Sequence, residues 1–89
     1  MSDYGTEASY WEHFTDNLSP WQNKVFNTVD CFRIMHLGER VNRSDIICFL
    51  NENNALIQNE KWFDKLMQYM SIRGFANPVF GGWIFSNEY

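Results

Sequence analysis

Glu12, His13 and Asp16 are the residue types that proton transfer uses. General acid–base catalysis needs an imidazole held in a cleft against a reacting group. Here the histidine falls on a charged, helix-like stretch with no nucleophile motif beside it, so the sequence points away from an enzyme. Cys31, Cys48, His13 and His36 are the donors a zinc ion would want. Zinc sites pair their ligands closely, as C-x₂-C or H-x₃-H, and no such pair occurs. Neither a metal nor another cofactor is expected. Gly81-Gly82 lacks the following Lys and Ser or Thr of a phosphate-binding loop, and suits a hairpin instead. His36 falls near a predicted helix C-terminus, where the helix dipole favours its charged form.

A different kind of chemistry is written in Ser9–Trp21, SYWEHFTDNLSPW, where large rings alternate with acids and no Lys or Arg intervenes. The chain carries a net charge of −4, and that surplus is placed unevenly. Asp3, Glu7, Glu12 and Asp16 stand before residue 21 without a single base, while the remainder balances acids against bases. Negative charge steers encounter with a basic partner, and aromatic side chains supply affinity once it docks. The candidate partner-binding residues are therefore Tyr10, Trp11, Glu12, Phe14 and Asp16, with Glu7 in support and Trp83 as a second anchor. The alternative for the same stretch is that Trp11 and Phe14 pack on the core while the acids face water.

The elements that would position these groups can be read from caps and periodicity. The 89 residues are enough for one domain, and a composition 45% hydrophobic and 18% aromatic can build a core without staples. Residues 1–6 read as a tail and 7–89 as the domain. A first helix is expected over about 7–17, with Tyr10, Trp11, Phe14 and Leu18 on one side. Ser19, Pro20 and Gln22 form a capping box with Pro at the first helical position, opening a second helix that Gly38 should stop. Asn42 and Asp45 open a third over about 43–53, and Asn59 caps a fourth over about 60–73. Val79–Phe85 then reads as a hairpin turning at Gly81-Gly82, whose glycines accept the positive φ of a primed turn. Cys31 and Cys48 lie in apolar helical runs and are expected to be free thiols.

The predicted fold is mainly α, four short helices followed by a C-terminal β-hairpin. That order resembles a winged helix-turn-helix. The winged fold has a strand between its first two helices, whereas the short apolar run here, Ala55-Leu56-Ile57, comes one connection later. Residues 42–52, NRSDIICFLNE, look like a segment of the T4-type phage anti-sigma factor, a small acidic helical family that binds a sigma subunit of RNA polymerase. Leu50-Asn51, Trp62 and Asn77-Pro78 with the following glycines are similar to a run in the DNA-binding region of large serine recombinases. In size, acidity and ring content the chain is similar to small phage inhibitors, including anti-CRISPR proteins, which block nucleic-acid-handling machines by occupying basic surfaces.

These features imply a cytoplasmic, non-enzymatic inhibitor or modulator that docks on a basic protein surface, such as that of a CRISPR effector or an RNA polymerase component. No apolar run approaches the roughly 20 residues of a membrane span. The alternative is a winged-helix-like DNA-binding regulator. A duplex binder needs clustered Lys and Arg to release counterions, and Arg33, Arg40, Arg43, Lys61, Lys65 and Arg73 could form such a patch. Asp45, Glu52, Glu60 and Asp64, on the same two helices as Arg43, Lys61 and Lys65, weigh against it.

Overall fold

A computed structural model describes residues 11–87. Within them the chain forms α1 (Pro20–Met35), β1 (Arg40–Val41), α2 (Arg43–Glu52), α3 (Glu60–Ile72), β2 (Ala76–Val79) and β3 (Gly82–Phe85). The described residues therefore hold three helices and a three-stranded antiparallel sheet, rather than four helices and a hairpin. The proposed tail and the start of the expected first helix lie outside the described residues. Of the rest of that segment, Trp11 and Glu12 are helical and 13–17 are turns.

Each helix starts where a local side chain can satisfy its orphan amides. Gln22 N–H donates to Ser19 Oγ at 3.4 Å, and Ser19 N–H donates back to Gln22 Oε1 at 2.9 Å. Asn42 and Asp45 exchange the same pair of bonds at 2.9 and 3.0 Å. Asn59 Oδ1 accepts from Trp62 N–H at 3.1 Å. The ends follow from backbone geometry. α1 stops at Met35 with His36 as C-cap, three residues earlier than Gly38, which instead takes a φ of 80° in the turn that follows. Asn54, at φ 58°, turns the chain after α2.

The sheet order is β1-β3-β2, so the first strand pairs with the last, Arg40 opposite Ile84 and Val41 opposite Trp83. The strand between the first two helices is thus Arg40–Val41. Ala55-Leu56-Ile57 is not a strand: Ala55 is buried and Leu56 is exposed in the connection between α2 and α3. The hairpin is also displaced by one residue from expectation. Val79 pairs with Gly82, which leaves Phe80-Gly81 as the turn. Gly81 has φ 82° and Phe80 is not in the positive region, so the turn is neither primed type. The two glycines serve different needs. Gly81 supplies the positive φ, whereas a Cβ on Gly82 would collide with the Val41 carbonyl of β1.

The core lies where the three helices meet the sheet. Val25 and Val29 of α1, Ile46 and Leu50 of α2, Phe63, Leu66 and Met70 of α3, and Phe85 of β3 are all essentially inaccessible. Arg33 is buried among them, which removes it from any basic surface. Its guanidinium donates to Asp30 at 2.8 Å and to the Ser86 carbonyl at 2.7 Å, and lies 4.6 Å from the Phe75 ring centroid. It joins the end of α1 to the chain leaving β3. Cys31 and Cys48 are free, and both are exposed rather than in the core. No helix among the described residues is long and apolar enough to cross a membrane.

Candidate functional site

The leading segment separates its rings from its acids. Phe14 stacks on Trp62 at 5.9 Å and on Tyr69 at 5.1 Å, and Trp11 lies 5.6 Å from Phe14 and 6.5 Å from Tyr69. Trp21 meets Trp62 edge-on at 5.3 Å. The rings of α3 thus hold the segment down through offset and edge contacts, the arrangements that ring quadrupoles favour. Glu12, His13 and Asp16 stay exposed. His13 Nδ1 lies 2.6 Å from Asp16 Oδ2, and that hydrogen bond and charge raise the imidazole pKa above 6.5. Glu7 and Tyr10 lie outside the described residues. Trp83 sits within β3, half-buried opposite Val41 and Pro78.

A second surface was only partly visible in the sequence. Along α3 the side chains of Glu60, Lys61, Asp64, Lys65 and Gln68 are exposed, while Trp62, Phe63, Leu66, Met67, Tyr69 and Met70 are buried. At 100° per residue the exposed set spans one arc, with Glu60 and Asp64 along one edge and Lys61 and Lys65 along the other. Arg43, the first residue of α2, reaches across to the acidic edge. Its guanidinium is 2.6 Å from Asp64 Oδ1 and 3.4 Å from Glu60 Oε1, and 4.9 Å from the Phe63 ring centroid. The two acids that would repel a polyanion from α3 are thereby paired with a cation from α2. Asp45 is likewise engaged in its own helix cap.

The hairpin tip joins this surface. Arg40 Nη2 donates to the carbonyl of Phe80, and Gly82 lies against the Val41–Asn42 backbone just before Arg43. Tip, α2 start and α3 first turn are thus linked through Arg40 and Arg43. Phe80 is 95% exposed, more than any other large apolar side chain described. The sequence carried a faint signal for it, an aromatic residue immediately before a glycine turn, but the one-residue shift of the hairpin hid it. Lys65 stands three residues after Trp62 and four before Tyr69, so the acidic leading segment runs beside the Lys edge of α3.

The Cys48 thiol has its pKa raised, first by the Glu52 carboxylate, whose Oε2 is 3.7 Å from Sγ. His36 faces Glu39 at 2.9 Å and caps α1. Among the described residues no three of His, Cys, Asp and Glu gather as metal ligands would. No family model, curated protein or solved structure matches the chain.

Proposed function

We propose that the chain is a winged helix-turn-helix module that binds double-stranded nucleic acid, with α2 and α3 as the helix pair and the β2–β3 hairpin as the wing. Helix–strand–helix–helix–strand–strand order with a β1-β3-β2 sheet supports the fold assignment. The function rests on one observation: Arg43 occupies the acids of α3, on whose exposed arc Lys61, Lys65 and Gln68 also stand. Such an arc can enter a groove with Gln68 directed at base edges while the lysines meet phosphates. If three cations meet phosphates, affinity should fall roughly 40-fold between 50 and 200 mM salt. Anisotropy of a labelled duplex across that range measures the slope. Lys61→Ala with Lys65→Ala should weaken binding and flatten it. A duplex left unbound at 50 mM salt would remove this reading.

A second reading is favoured by the exposure of Glu12 and Asp16 on a segment whose rings are anchored in the body. In it, that acidic edge docks on a basic protein surface of a nucleic-acid-handling machine and inhibits or redirects it. The two readings make opposite predictions for Glu12→Lys with Asp16→Lys. Reversing these charges strengthens duplex binding in the first, because the segment runs beside the Lys edge of α3, and weakens capture of the basic partner in the second.

A further inference from the structure

Resting on the duplex-binding reading, we infer that Phe80 is an apolar wedge that enters between base pairs and kinks the bound duplex. The side chain is 95% exposed at the tip of the turn, and no other described side chain covers it. It is nonetheless held in place. The Arg40 guanidinium grips its own carbonyl, Gly81 fixes the turn with φ 82°, and Gly82 is backed by the β1 backbone. An exposed ring on a fixed tip loses little backbone freedom on binding, which is the condition for an anchor.

The surroundings select the occupant. Arg40 donates to the carbonyl at the base of the ring, and Arg43, further along, is paired with Glu60 and Asp64 of α3. A ring carried on a tip with a guanidinium at its base suits a stacked base with a phosphate beside it. Proteins that bend a duplex use Phe, Leu, Ile or Met in this way, unstacking a base step and kinking the helix by about 20–90°. Flexible pyrimidine–purine steps unstack most readily, so a TA or CA step opposite the wing is the expected insertion point.

The test uses the full chain with a duplex labelled at both ends for energy transfer and carrying 2-aminopurine at a central TA step. The wild-type protein should bring the ends closer and brighten the aminopurine. Phe80→Ala should abolish both signals at saturating protein and lower affinity roughly tenfold, in the range seen when base–aromatic stacking is removed. Lys61→Ala should bind more weakly yet still kink the duplex when saturating. A wild-type complex that depends on Lys61 but stays straight, with Phe80→Ala binding as tightly, overturns the wedge and leaves the duplex-binding reading standing. Absence of duplex binding by the wild type overturns both. Self-association that Phe80→Ala abolishes assigns the ring to a second copy of this chain and also overturns the wedge.

Discussion

Arg43 and Asp64, which are 21 residues apart in sequence, meet at 2.6 Å. This contact ties the first residue of α2 to the second turn of α3 and fixes the charge of the surface between them. The guanidinium is 39% exposed and its two carboxylate partners are more open, so the pairs are worth little as stability. Their consequence is electrostatic: they decide which sign of charge α3 presents.

Arg43→Ala should therefore destabilise the protein by only about 0.5–1 kcal/mol in urea unfolding. It should weaken duplex binding far more, since it removes a cation and frees Glu60 and Asp64 together. Asp64→Asn in the Arg43→Ala background should restore part of the affinity. An unchanged duplex affinity for Arg43→Ala would show that the pair serves stability alone.

Gly81→Ala and Gly82→Ala should differ in cause and in readout. At Gly81 a side chain is forced into positive φ, a strain of about 1–2 kcal/mol. At Gly82 the added methyl displaces β1, because the Val41 carbonyl occupies its place. Amide exchange should accelerate at the β1–β3 pairs in Gly82→Ala, and at the hairpin tip alone in Gly81→Ala.

Phe14→Ala should release the leading segment from α3. Two ring stacks at about 0.5–1.5 kcal/mol each set an expected loss of at least about 1–3 kcal/mol in chemical denaturation, and lost apolar burial adds to it. Glu12→Gln should shift stability by less than about 0.5 kcal/mol, because its side chain is exposed. Equal losses in the two variants would contradict the separation of rings from acids.

The His13 pKa is raised, first by the hydrogen bond to Asp16 and then by its charge. A raised folded-state pKa means the protonated pair contributes its stability below the ordinary value of 6.5 and loses it as pH climbs through the folded pKa. An NMR titration should place the imidazole above the ordinary value, and Asp16→Asn should return it toward that value. The effect on unfolding should be slight, since the pair is open to water.

The exposed Cys48 thiol should react slowly for its exposure. Glu52 disfavours the Cys48 thiolate, which is the reactive species. Cys48 should therefore alkylate more slowly than an unperturbed exposed thiol at pH 8, and Glu52→Gln should accelerate it. Peptide mapping after brief iodoacetamide treatment reads both sites at once.

The sequence by itself determined the helix starts. Ser19 with Gln22, Asn42 with Asp45, and Asn59 each satisfy amides within three residues of themselves, so the partners are adjacent in the chain and visible there. The positive-φ position at Asn54 and the existence of the terminal hairpin were legible for the same reason. Only the tertiary structure decided the rest. β1 has two residues, too few for any periodicity, and exists because Val41 meets Trp83 across the whole helical segment. Arg33 reads as a surface cation until α1 is laid against the chain leaving β3. Whether α3 shows a neutral, acidic or basic arc depends on Arg43 reaching across from another helix. The leading segment's rings and acids parted because α3 offered Trp62 and Tyr69 as a stacking surface. Local bonds are written in neighbouring residues; pairings across tens of residues depend on which surfaces the packed chain brings face to face.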